Sequence, residues 1–406
     1  MIVVTDETRA LLPDGTALEH RLAEATPAVA DVLARSLDGR DLDRDDVLTL
    51  LAAEGADLRA LVAVADHVRR EDVGDVVTYV VNRNINFTNV CFVNCQFCAF
   101  KRQRWESDAY VHDVDVVLGK VQEALDRGAT EVCMQGGINP QMGAFTYRDM
   151  LIAIKTAFPR MHVHAFSPME ILYGSRRTGM SYEAYLSMLR DEGLGSVPGT
   201  AAEILDDDVR EILSHKKVDV AAWVEIITTA HRVGIPTTAT IMYGHLETPQ
   251  HVAAHLDLIR SIQRETGGFT EFVPLHFIHQ NTILYQRGLV QASQNGPSDF
   301  RMYATCRLFF RGTIDNLQTS WVKLGHDLSA LTLAAGCNDF GGTLMEESIS
   351  REAGADAGEY TSVEDIERII RSMGRTPRER TTLYGEVQRS APVASIADAA
   401  SLPAVA

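Results

Sequence analysis

Residues 76–98 read VVTYVVNRNINFTNVCFVNCQFC. The opening run is β-branched and apolar, as a buried strand requires, and directly behind it Cys91, Cys95 and Cys98 stand in a C-x3-C-x2-C frame. A strand that hands over to a loop of metal-ligating residues is the pattern of a parallel barrel, whose chemistry collects on the loops at the C-terminal strand ends. The stretch therefore raises a fold and a site together. It also raises a question, because metals that hold a protein together usually take four protein ligands and this loop offers three.

Outward from this stretch the same alternation repeats. Short apolar runs follow at ATEVCMQ, MHVHAFS, LGSVPG, TTATIMYG, FTEFVPLHF, DNLQTSW and, weakly, AAGCNDF, which makes eight strand candidates. Between them lie amphipathic stretches such as DVDVVLGKVQEALDRG, SYEAYLSMLRDEG, DVAAWVEIITTAHRVG and PQHVAAHLDLIRSIQRETGG, several ending in glycine as helix C-termini do. The expected class is α/β, a full or partial (β/α)8-type barrel over residues 76–345. Residues 1–75 read as an N-terminal helical extension, 346–389 as a C-terminal helical region and 390–406 as a disordered tail rich in small residues. A doubly wound open sheet is the runner-up, but neither G-x-G-x-x-G after a strand nor a G-x-x-x-x-G-K-[ST] loop is present.

Composition narrows the partners. The 406 residues carry 38 basic and 55 acidic side chains, a net charge of −17, so the mean field repels phosphate backbones and no nucleic-acid partner is expected. No basic leader precedes an apolar segment and no run approaches membrane-spanning length, so a cytoplasmic protein with no membrane partner is expected. Six cysteines are too sparse for a disulfide framework, and half of them fall within eight positions, which suggests metal ligation.

Thiolates suit zinc or iron-sulfur clusters. Zinc would need a fourth ligand, with Cys133 or His112 available if the fold brings one close. A 4Fe-4S cluster on three cysteines leaves one iron open to a small molecule. Cys133, Cys306 and Cys337 otherwise read as small buried hydrophobes. Other rim candidates follow the strands in turn: Gly136 and Gly137 after the second, Ser167 and Glu170 after the third, Glu203 after the fourth, Tyr243 and His245 after the fifth, and His276 and His279 after the sixth. His162 and His164 are two apart on one strand and share a face, as a hydrogen-bonded core pair also would. Lys323 stands near a strand end, and KRQRW after the cysteines adds positive charge beside them.

The C-x3-C-x2-C loop with Phe97 before its last cysteine resembles that of radical S-adenosylmethionine (SAM) enzymes. That resemblance implies a 4Fe-4S cluster held by Cys91, Cys95 and Cys98, with SAM as the missing ligand. It further implies SAM contacts at Gly136 and Gly137 of MQGGINP, at Glu203 of PGTAAEILDDDVR, and at Tyr243 in TATIMYGHLET. Over roughly residues 47–387, motifs including YVVNRNINFTNVC, EVCMQGGI, MHVHAFSPMEI, TGGFTEFVPL, QTSWVKLG and NDFGGTLMEESISR resemble the CofH family of deazaflavin synthase subunits and the matching half of FbiC.

Membership implies a transferase. It would cleave the Cα–Cβ bond of L-tyrosine and add the 4-hydroxybenzyl group to C5 of 5-amino-6-(D-ribitylamino)uracil, in coenzyme F420 biosynthesis. A second radical SAM enzyme of the CofG type would act downstream, and ferredoxin or flavodoxin would donate electrons. Polar candidates for the substrates and for catalysis are His164, Ser167, Glu170, Tyr243, His245, His279, Gln280, Asn281 and Lys323. Two features depart from the family pattern: His276 and Ile283 stand where prolines are usual, and Phe92, Val93 and Asn94 fill the cysteine loop. They keep open a paralogue with another acceptor, of menaquinone-pathway or natural-product type. A non-enzymatic iron-sulfur or zinc protein is the third reading.

Overall fold

The computed structural model describes residues 4–292 and 295–388. The tail expected to be disordered lies outside the described residues. Named strands are β1 (Val76–Val80), β2 (Asn82–Ile85), β3 (Glu131–Met134), β4 (His162–Ala165), β5 (Thr237–Tyr243), β6 (Phe269–His276), β7 (Asp339–Gly342) and β8 (Thr376–Glu379). Every pairing between them is parallel.

The strands form a closed ring. β1 and β2 are two halves of one first strand; β2 pairs β3 and β3 pairs β4. His164 then bridges Ser196, Val197 bridges Thr237 at the start of β5, and β5 pairs β6. Phe272 bridges Leu317, Gln318 bridges Asp339, and β7 returns to β1. The ring thus has eight positions, of which the fourth and seventh are bridges rather than full strands. The fourth lies in LGSVPG, where Pro198 has no N–H to continue a ladder.

The faces of the ring turned to the helices carry Ile85, Val132, Val163, Ala239, Phe272 and Phe340, all withdrawn from solvent, with Phe272 packed on Phe310 and His255, while Gln135, Thr240, Met242 and Leu275 point into the interior. Helices start where short polar side chains can take up the orphan amides: Asp113 caps Val114–Asp126, Asp219 caps Val220–Arg232, and Thr248 caps Pro249–Thr266. Residues before the barrel form five helices between Asp6 and Val73, and the last, Gly55–Val73, packs on the barrel helix Pro297–Phe309.

The C-terminal region corrects the sequence reading. Beyond helices Ile349–Ala353 and Val363–Ser372 it adds β8, which pairs with β1 from Val76↔Thr376 to Tyr79↔Glu379. TPRE lacks the apolar alternation of a strand and contains Pro377, so its pattern hid it. A buried ion network holds it instead. Just beyond β8, Arg380 donates from Nε to Asp339 Oδ2 (2.5 Å) and from Nη2 to Glu271 Oε2 (3.2 Å), and Thr78 donates to the same Asp339 oxygen.

Candidate active site

A cavity of about 260 Å³ gathers the cysteine loop and the ends of several strands. Cys91, Cys95 and Cys98 line it with Phe97, and Gly136, Gly137, Glu170, Glu203, Lys217, His276 and Lys323 face it from other loops. The loop is locked to the end of β3: Gly137 N–H donates to Thr88 O (2.8 Å) and Phe92 N–H to Ile138 O (3.1 Å). At Gly137 a Cβ would lie 2.3 Å from Val90 O, and at Gly136 it would lie 2.4 Å from the Phe87 ring, so neither position admits a side chain.

Burial favours the neutral thiol at two of the three cysteines. Burial pushes the Cys95 thiol up to about 12, against the pull of Lys217. Burial also raises Cys98, against the backbone amides of Lys101 and Phe100 and the Lys217 ammonium. Three deprotonated sulfurs here need cations and N–H donors around them, and the walls supply both. Lys217 interacts with Cys95 and Lys323 with Cys98, both lysines partly buried. This donor set fits an iron-sulfur cluster with one open position. The zinc reading lacks its fourth ligand. His112 stacks on Tyr110 at 4.5 Å beside a different cavity, and Cys133 is absent from the lining. Among the described residues no group of three or more His, Cys, Asp or Glu is placed to hold a single metal ion.

Glu203 and Glu170 are anchored in different ways. Glu203 sits at φ 42° two residues after Ala201 at φ 63°, a left-handed turn that L-residues resist, as strained backbone at functional sites often is. Its carboxylate takes the Lys217 ammonium at 2.5 Å and Arg210 at 3.5 Å. Lys217 in turn lies 5.0 Å above the Phe97 ring, tying the fourth strand position to the cysteine loop. Glu170 closes a capping box with Ser167 at the start of helix Pro168–Thr178. Burial pushes it up to about 7, against hydrogen bonds from Ser167 and Gly136.

The remaining candidates separate. His164 and His162 both hydrogen-bond Ser196 Oγ (2.6 and 2.8 Å) and lie outside the cavity lining; burial drives His164 down to about 4. Tyr243 is turned to Asp299 at 2.6 Å, while His245 accepts from Leu246 N–H and bonds Met242 O. From that strand Thr240 and Met242 line the cavity instead. His279 and Gln280 border a second cavity of about 210 Å³, and Asn281 donates to Glu352 O. From KRQRW, Lys101 lines the main cavity, Arg102 pairs with Asp108 and Glu352, and Trp105 is 79% exposed. Lys217 escaped the sequence reading; the only signal was the pair Lys216–Lys217 in an acidic stretch, and only folding buries one of them.

Comparison with known proteins agrees with this geometry. The Radical SAM superfamily description matches residues 85–259, and the CofH/MqnC C-terminal region matches 266–393. A 5-amino-6-(D-ribitylamino)uracil--L-tyrosine 4-hydroxyphenyl transferase of Methanothermobacter thermautotrophicus is 48% identical over 88% of this chain and 97% of its own length. An FO synthase of Streptomyces coelicolor is 51% identical over 86% of this chain, which spans 40% of that longer protein. Among solved structures, methylornithine synthase PylB superposes with a TM-score of 0.67 at 19% identity, over 85% of this chain and 97% of its own, and shows the shared fold. The profile matches, the near full-length relative and the three-cysteine cavity together establish that the chain belongs to the CofH family of radical SAM enzymes, which use a 4Fe-4S cluster and SAM.

Proposed function

We propose that this chain is a transferase that takes the 4-hydroxybenzyl group of L-tyrosine and adds it to 5-amino-6-(D-ribitylamino)uracil. The observation that carries the reading is one cavity bordered by all three cysteines, the Gly136–Gly137 turn and Glu203, in a chain 48% identical to a transferase of that name. When bound, the cluster and SAM supply the reducing electron and the carbon-centred radical that starts the reaction.

The chain's own residues do the rest. Cys91, Cys95 and Cys98 are the cluster ligands, with the Lys101 and Phe100 amides turned to the Cys98 sulfur. Gly136 and Gly137, held to glycine by the Phe87 ring and Val90 O, shape the turn that meets SAM, and Glu203, pinned by Lys217, presents a fixed carboxylate to hydroxyl donors. Met169, Met242, Leu275, Phe277 and Ile278 give the cavity apolar walls that keep water from a reactive radical. Glu170, raised toward neutrality, is able to hold or release a proton close to the Gly136 amide.

A downstream radical SAM enzyme of the CofG type, a ferredoxin or flavodoxin donor and a cytoplasmic setting belong to the same proposal. No helix among the described residues is long and apolar enough to cross a membrane. Anaerobic turnover of reconstituted protein with SAM, dithionite and tyrosine, with and without the aminouracil, tests the reading by mass spectrometry. The expected product is the hydroxybenzyl adduct of the uracil; deoxyadenosine without adduct moves the assignment to another acceptor.

A further inference from the structure

Three lysines line the first cavity, Lys101, Lys217 and Lys323. Lys217 already has its counter-ion, the Glu203 carboxylate at 2.5 Å. Lys323 is held differently. Its ammonium donates to the Ser350 hydroxyl at 2.7 Å, and among the described residues no carboxylate lies within ion-pair distance of it. The acid that bears most on it, Glu347, is taken up by the Ser350 amide, which reaches both its oxygens at 3.1 Å. Burial lowers the Lys323 pKa, against the pull of Glu347 and Cys98. A lysine ammonium has three N–H donors, and a cation withdrawn from water without its anion is costly until one arrives.

The placement of Lys323 indicates which anion that is. It stands in the first turn of helix Trp321–Thr332, just past the seventh ring position, and Gly325 (φ 69°) breaks that helix two residues later. Ser350, 3% exposed, holds the ammonium from behind. Of the three lysines it alone borders the second cavity as well as the first. The residues expected to meet SAM follow the second and fourth ring positions, so Lys323 lies across the ring from both. Its side of the cavity is left for a molecule bound beside SAM. Of the two substrates, the aminouracil carries no ionised group near neutral pH, whereas the amino acid carries a carboxylate.

We propose that Lys323, oriented by Ser350, receives the α-carboxylate of the amino-acid substrate and makes the cavity selective for molecules that carry one. The inference rests on the transferase reading above for the identity of that substrate.

The test compares L-tyrosine with tyramine, which lacks only the carboxylate. Both are titrated calorimetrically into reconstituted, SAM-saturated protein without reductant, using wild type, Lys323→Met and Lys101→Met. In Lys323→Met the tyrosine Kd is expected to rise about ten- to hundredfold, the range of a charge-assisted hydrogen bond, while the tyramine Kd rises by less than about threefold. Iron content and SAM affinity should stay at wild-type values, which also shows that the variant is folded. An unchanged tyrosine Kd overturns the inference, as does an equal loss for both ligands. Loss of iron or of SAM affinity in Lys323→Met gives the lysine to the cluster or to SAM instead, and loss of the tyrosine preference in Lys101→Met alone gives the carboxylate to Lys101; either result also overturns it. If wild type, supplied with dithionite, leaves tyrosine unconsumed, the transferase reading fails and this inference falls with it. A wild type that consumes tyrosine beside an indifferent Lys323→Met removes the inference alone.

Discussion

The amide of Gly136, at the end of β3, donates to Oε1 of Glu170, in the first turn after β4, at 3.1 Å. One hydrogen bond thus couples the turn expected to meet SAM to the most enclosed acid of the cavity. Glu170 is 1% exposed, and its other oxygen takes both the N–H and the hydroxyl of Ser167 at 2.7 Å.

The first prediction concerns pH. Because burial raises Glu170 from 4.5 to about 7, the folded protein keeps a proton that the unfolded chain releases between these values. Its contribution to stability is therefore full below about pH 4.5 and is lost as pH rises through about 7, up to about 3 kcal/mol in all. Glu170→Gln should flatten that decline, as urea unfolding from about pH 5 to 8 would show. An unchanged slope would remove Glu170 as its source.

Gly137 gives a steric prediction. A methyl group there meets backbone, not a flexible side chain, 2.3 Å from Val90 O and 3.0 Å from Cys91 Cβ. Gly137→Ala should displace the cysteine loop, lower stability by about 1–3 kcal/mol and weaken SAM binding to the reconstituted protein. Calorimetric SAM titration and iron analysis would check it.

Lys217 is expected to matter before any chemistry. Removing it as Lys217→Met leaves Glu203 with only the longer Arg210 contact, and breaking a buried pair costs about 3–5 kcal/mol. The double variant with Glu203→Gln should recover part of that loss. Additive losses in the double variant would argue against direct coupling of the two.

For the cluster, Cys91, Cys95 and Cys98 changed singly to Ala should each abolish stoichiometric iron and sulfide after reconstitution, with folding retained. Cys133→Ala should keep both. Loss of metal in Cys133→Ala would revive a four-ligand site.

The C-terminal segment should be needed for the barrel itself. Arg380 is buried between Asp339 and Glu271, and the Tyr384 hydroxyl also reaches Glu271. Arg380→Met leaves two enclosed carboxylates without their cation, and a loss of about 3–5 kcal/mol is expected in chemical unfolding. A smaller loss would mean that solvent reaches the network.

The barrel, its strand sites and the cysteine loop were legible in the sequence because they rest on local pattern. β-Branched runs, amphipathic spacers and a C-x3-C-x2-C frame are properties of neighbouring residues, and burial of the apolar runs leaves the loops little choice of rim. Partnership between distant side chains is different. His164 resembles a site residue until Ser196, 32 positions on, takes its ring, and Tyr243 faces away because Asp299 lies behind it. Lys217 becomes a buried cation, and β8 a strand, only when remote segments close over them. Sequence determined which residues are able to do chemistry here. Tertiary structure decided which of them meet, since desolvation and hydrogen-bond geometry exist only once the ring has closed.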